Sequence, residues 1–145
     1  MAKNKVLASG ALLATVVLSG CATTLVSGIG VEKTDNFENN RDSVVVEAYA
    51  KDHATGKLKP ATATFYQDQI KFEGDPVQVP AEETYYKVVA DDKSDLSNRK
   101  LRVVVSTDNP EDEVFCAIKD TGIFEPNHGG HAEGKGSATC DIQMH

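Results

Sequence analysis

The sequence predicts an all-β fold, a small antiparallel β-sandwich of seven or eight strands. Short stretches alternate apolar and polar residues with period two, and turn-forming residues separate them. No run of ten residues shows a helical period.

The strands follow in order. Val44, Val46, Ala48 and Ala50 share one face, while Glu47, Tyr49 and Lys51 share the other. Asp52 to Lys57 turns around Gly56. Ala61, Ala63 and Phe65 then oppose Thr62, Thr64 and Tyr66, and Gln67-Asp68 interrupts before Ile70 and Phe72 alternate with Lys71 and Glu73. Gly74-Asp75-Pro76 marks a turn. Val77 and Val79 make a short stretch ended by Pro80, and Thr84 to Ala90 is rich in Tyr and Val. After a polar loop from Asp91 to Asn98, Leu101, Val103 and Val105 line one face, followed by a turn through Asn109-Pro110. Val114, Cys116 and Ile118 alternate next, and Ala138, Cys140, Ile142 and Met144 close the series. Outward positions carry Thr, Lys, Glu and Tyr, as antiparallel sheets with one wet side do. The expected sandwich is of immunoglobulin-like or transthyretin-like kind, with a barrel as the alternative closure.

The N-terminus is of another kind. Lys3 and Lys5 precede an apolar stretch from Ala8 to Leu18, the pattern of a secretory signal. That stretch is too short to span roughly 30 Å of hydrocarbon as a helix. Leu18-Ser19-Gly20-Cys21 resembles the lipobox of bacterial lipoproteins, in which a branched residue and two small ones precede a cysteine. The resemblance covers the signal segment alone. It implies cleavage before Cys21, a diacylglyceryl group on the Cys21 thiol and often a further acyl chain on the freed amine. Each buried acyl CH₂ contributes about 0.8 kcal/mol, so two or more chains hold a protein durably. Ala22, standing where an Asp would imply inner-membrane retention, implies the outer membrane and its periplasmic face.

The expected organisation is a signal peptide over 1–20, a lipidated flexible tether over 21–42 and a single β domain over 43–145. The tether is small and polar, with an r.m.s. span near ~25 Å, which a short strand around Leu25 or Val31 would reduce. Loss of Lys3 and Lys5 leaves 13 basic against 22 acidic residues, a net charge of −9. That balance argues against nucleic acid and anionic headgroups as partners and favours cations, basic proteins or simple solubility. With Cys21 acylated, Cys116 and Cys140 remain as an even pair in an exported chain, and a disulfide between them is expected. It leaves no free thiol for catalysis or redox sensing.

Asn127-His128-Gly129-Gly130-His131-Ala132-Glu133-Gly134 lies in a stretch read as a Gly-rich loop. His128, His131 and Glu133 are candidate ligands for Zn²⁺ or Cu²⁺, because imidazole and carboxylate suit both ions. His53 and His145 complete such a shell only where the fold brings them close. The competing reading is a loop of solvated histidines. Two acidic stretches, Asp91 to Asp95 and Asp108 to Glu113, match no calcium-loop pattern and read as solvated turns. No Gly-x-Ser-x-Gly elbow, His-Glu-x-x-His or phosphate-cradling loop is present, so no catalytic residue is assigned and no enzyme is expected. Tyr49, Tyr66, Tyr85 and Tyr86 fall on three strands. Together on a wet face they would make a protein-binding patch, though Tyr also suits half-buried strand positions.

The expectation for function is a non-catalytic, membrane-anchored envelope lipoprotein that binds another envelope protein. Its role as accessory, inhibitor, immunity or exclusion factor is left open. The alternative is metal-ion or small-ligand capture by His128, His131 and Glu133.

Overall fold

A computed structural model describes residues 28–37, 43–72, 76–92, 96–121 and 128–144. The signal segment, Cys21, Gly74-Asp75, residues 93–95 of the first acidic loop and His145 lie outside the described residues.

Eleven strands follow one another without an intervening α-helix among the described residues. They are β1 (Ile29–Thr34), β2 (Val44–Lys51), β3 (Leu58–Lys59), β4 (Ala61–Gln67), β5 (Ile70–Lys71), β6 (Val77–Val79), β7 (Thr84–Ala90), β8 (Lys100–Ser106), β9 (Glu113–Asp120), β10 (His128–Lys135) and β11 (Ser137–Gln143). Every pairing is antiparallel. The first sheet runs β1-β7-β2-β9-β10, with β3 beside β2; the second runs β11-β8-β4-β5, with β6 also on β4. No ladder among the described residues joins one sheet to the other, so the domain is a two-sheet sandwich and the barrel alternative falls.

The period-two pattern explains the core. Val44, Val46, Ala48 and Ala50 of β2 lie beside Val114, Cys116 and Ile118 of β9, and all seven are buried. Ala63, Phe65, Leu101, Val103 and Val105 close on them from the second sheet. Removing such side chains from water contributes about 1.5–3 kcal/mol for each of the larger ones. Phe65 packs against Phe72 at 5.8 Å and meets Tyr86 edge-on at 6.1 Å. The Tyr86 hydroxyl donates to the Gln78 carbonyl at 3.0 Å, so β7 of the first sheet is fastened to β6 of the second.

Cys116 on β9 and Cys140 on β11 form a disulfide across the two sheets, with Cα atoms 5.8 Å apart. Both cysteines occupy inward positions, as their alternation required.

Two stretches differ from the sequence reading. The strand considered around Val31 is present as β1, hydrogen-bonded along β7 from Ile29 to Thr34, within the stretch read as tether. Residues 128–135 form β10 rather than a loop, paired with β9 along their whole length. The glycines that suggest a loop serve a close approach instead. At Gly134 an added Cβ would collide with the Ser137 carbonyl oxygen, and at Gly130 it would come within 3.3 Å of the Asp141 carbonyl oxygen. The backbone of β11 therefore passes hard against β10 as the chain turns from one sheet to the other through Gly136, whose φ is +76°.

The β4–β5 hairpin turns on Asp68 and Gln69, both left-handed, with φ of 50° and 74°. This is the backbone of a two-residue loop that normally selects glycine or asparagine. Asp68 offsets the strain by accepting from the Lys100 amide at 3.0 Å and from Arg99 Nη1 at 3.1 Å. Gln69 has no such compensation among its described contacts.

Two stability outcomes follow. Replacing Gln69 by Gly raises unfolding stability by about 0.5–1 kcal/mol, measured by urea denaturation, because relief of the left-handed strain exceeds the added chain entropy. Replacing Cys116 and Cys140 together by Ser, or reducing the protein, lowers stability by about 3–4 kcal/mol for the closed loop.

Candidate functional site

The same alternation that fills the core decides what the other side of the first sheet presents. Outward positions are Val45, Glu47, Tyr49 and Lys51 on β2, and Glu113, Phe115, Ala117 and Lys119 on β9. Tyr85 and Lys87 add to them from β7, and His131, Glu133 and Lys135 from β10. The register sets them in rows across the strands. Tyr85, Glu47, Ala117 and His131 form one row; Tyr49, Phe115 and Glu133 form the next; Lys51, Glu113 and Lys135 form a third.

This face is not uniformly wet. Val45 and Ala117 are buried although neither belongs to the sandwich core. Phe37, from the segment after β1, meets Tyr85 edge-on with ring centres 5.2 Å apart, and Lys119 Nζ lies 4.7 Å from the Phe37 ring centre. Beside this cover the Tyr49 and Phe115 rings stack at 4.9 Å with planes 16° apart. An aromatic pair at directly opposed strand positions contributes about 0.2–1 kcal/mol to the pairing. The result is four half-buried aromatic rings on the outside of one sheet.

Carboxylates surround the rings. Glu47 accepts from the Tyr85 hydroxyl at 3.1 Å. Burial pushes the Tyr85 phenol up to about 12, helped by the adjacent Glu47 charge and its accepted hydrogen bond. Tyr49 is also raised, by burial first and then by the negative charges of Glu47, Glu83, Glu133 and Glu113. Glu47 is raised by burial and by like charge on Glu83, against the opposing Tyr85 hydrogen bond. A cleft of about 420 Å³ opens over the stacked pair, lined by Tyr49, Lys51, Glu113, Phe115, Glu133 and Lys135 among others.

The four tyrosines separate accordingly. Tyr49 and Tyr85 belong to this face; Tyr86 is in the core; Tyr66 is on the second sheet, opposite Arg102 and Lys71. Phe115 and Phe37 complete the patch. The alternation around Cys116 contained the signal for Phe115, whereas the placement of Phe37 had none.

Of the candidate metal ligands, His131 and Glu133 are exposed and two positions apart on β10. His128 stands opposite Asp120, an odd number of strand positions from both. His53 belongs to another group, with its Nδ1 3.4 Å from Asn109 Nδ2 and 3.7 Å from Asp112 Oδ1. There Asp52, His53 and Asp112 bring ligand-type atoms within 4.8 Å of one another. Their carboxylates already hold turns together: Asp52 Oδ1 accepts the Ala54 amide at 2.7 Å, and Asp112 Oδ1 accepts the His53 amide at 3.2 Å. Lys59 Nζ lies 2.5 Å from Asp112 Oδ2 and 3.2 Å from Asp108 Oδ1.

Asp112 corrects the reading of its stretch as a solvated turn, because its side chain is fully buried. Its neighbours Asp108 and Glu111 are exposed. A buried charge needs partners, and Lys59 supplies one.

No family model, curated protein or solved structure matches this chain.

The Lys59–Asp112 pair gives a pH dependence with a definite sign. The Lys59 ammonium, the His53 amide and Thr107 hold the Asp112 carboxyl below its ordinary 3.8, the lysine most strongly. The unfolded chain therefore takes up this proton first as pH falls. The contribution of Asp112 is complete above its unfolded value and is lost as pH drops through the lower folded one. In Asp112→Asn, the acid limb of the stability curve is flatter by at most about one proton, measured from urea midpoints at successive acid pH values.

Proposed function

We propose that this chain is an envelope lipoprotein, anchored by acyl groups on Cys21 at the periplasmic face of the outer membrane. Its β domain is non-catalytic and docks another envelope protein against the outer face of the first sheet. The single observation that carries the docking reading is the stacked Tyr49–Phe115 pair, set beside Phe37 and Tyr85 on the side of the sheet facing away from the core. The grouping of four half-buried rings on one outward side, with carboxylates around them, supports a contact surface over a plain solvated sheet. The anchor is supported by the signal segment and by Leu18-Ser19-Gly20-Cys21. The disulfide is consistent with an oxidising compartment.

A second reading, transition-metal capture, rests on His131 and Glu133, which share an exposed side of β10. Calorimetry with Zn²⁺ or Cu²⁺ would then show heat that His131→Ala removes.

The docking reading is tested with a photoreactive benzoylphenylalanine at Tyr49 in intact cells, and at Thr64 on the second sheet as control. The expected outcome is a discrete crosslinked protein from position 49 and none from position 64. Equal yields from both positions, or none from either, remove the reading. The anchor is tested by metabolic labelling with a fatty-acid analogue, which the wild type incorporates and Cys21→Ala does not.

A further inference from the structure

We infer that the cleft over Tyr49 and Phe115 receives a lysine or arginine side chain from a basic segment of the docked protein. This rests on the docking face proposed above and specifies its chemistry. The stacked rings, 4.9 Å apart, supply the aromatic wall of the cleft, and Glu113 and Glu133 supply its carboxylates. Among the described residues neither Glu113 nor Glu133 forms an ion pair, while Lys135 reaches away to Glu111 at 3.9 Å. The domain's own Lys51 lies 5.9 Å from the Tyr49 ring centre, at the outer limit of a cation–π contact. The ring thus already draws a cation without being capped by one at close range.

Charge complementarity favours a basic occupant over a neutral one. Glu47, Glu83, Glu133 and Glu113 each put negative charge near the Tyr49 hydroxyl, against Lys51 and Lys135 on the lining of the cleft. The whole chain adds to this with a net charge of −7. An aromatic face bordered by carboxylates attracts a guanidinium or ammonium group in two ways: through the ring quadrupole and through direct ion pairing. The ring area beyond the cleft, at Tyr85 and Phe37, suits the apolar stems and neighbours of such side chains rather than an isolated small cation.

The test uses the full chain in detergent and fluorescein-labelled polyarginine, with polyglutamate as the opposite-charge probe, followed by anisotropy at rising salt. Because polyarginine responds to any acidic surface, the deciding quantity is a comparison of variants. Glu113→Gln with Glu133→Gln weakens polyarginine binding by up to about fivefold per carboxylate. Tyr49→Leu weakens it by about three- to tenfold at unchanged charge. Asp141→Asn, on the second sheet, leaves it within about twofold of wild type. These are exposed or half-buried positions, and thermal unfolding of each variant checks that the fold is kept. Equal binding by the wild type, the double Gln variant and Tyr49→Leu overturns the inference, as does polyglutamate binding as well as polyarginine. In cells, a crosslink from position 49 whose yield is unchanged by the double Gln substitution leaves the docking face standing and removes the cationic side chain from it. Loss of that crosslink in the double variant supports both.

Discussion

The chain passes from the first sheet to the second at a tight corner, where it leaves β10, turns at Gly136 and enters β11, and the rest of the domain depends on how closely the backbones pass there. Gly130 and Gly134 keep β10 free of side chains where the Asp141 and Ser137 carbonyls approach. The turn is tied in by the Gly136 amide, which donates to the Asp112 carbonyl at 2.8 Å, and by the Thr107 amide, which donates to the Gly136 carbonyl at 3.0 Å. The Cys116–Cys140 bond spans the same corner one strand inward. With that joint fixed, the separation of the sheets is set, and Phe65, Ile118 and Val103 fill the space between them. A bulkier residue at position 134 would have to displace the Ser137 carbonyl and so distort the turn into β11.

Much of the fold could be read from alternation. β2, β4, β7, β8, β9 and β11 each bury one apolar face and present the other, so period two identified both their existence and their inward residues. The cysteine pair was legible for the same reason, since both stood on apolar faces. What failed to show did so for identifiable physical causes. In β10 the glycines that permit backbone contact also erase the alternating signal. β1 is an edge strand held on one side only, with Glu32 and Lys33 exposed, so its pattern is too weak to separate from a polar tether.

The candidate site was legible only in part. Tyr49 and Tyr85 were marked by type, but adjacent Tyr85 and Tyr86 point to opposite sides of a strand, and sequence alone does not say which side is the core. Val45 and Ala117 are buried on the outward side, and Phe37 packs on Tyr85 there from a segment distant in sequence, which no local pattern encodes. Asp112 shows the same limit from the polar side. In a run of acids it has the composition of a solvated turn, and its burial depends on Lys59, far away in the chain.

The placement of β1 alters the geometry of any anchored form. Ile29 stands eight residues beyond Cys21, and it is already hydrogen-bonded into the sheet that carries the aromatic face. Eight residues reach at most about 28 Å when fully drawn out. An acylated chain would therefore work on a short leash, sweeping a thin shell above the lipid rather than exploring the width of the compartment. Whatever docks on Tyr49 and Phe115 would have to come down to the bilayer to do so.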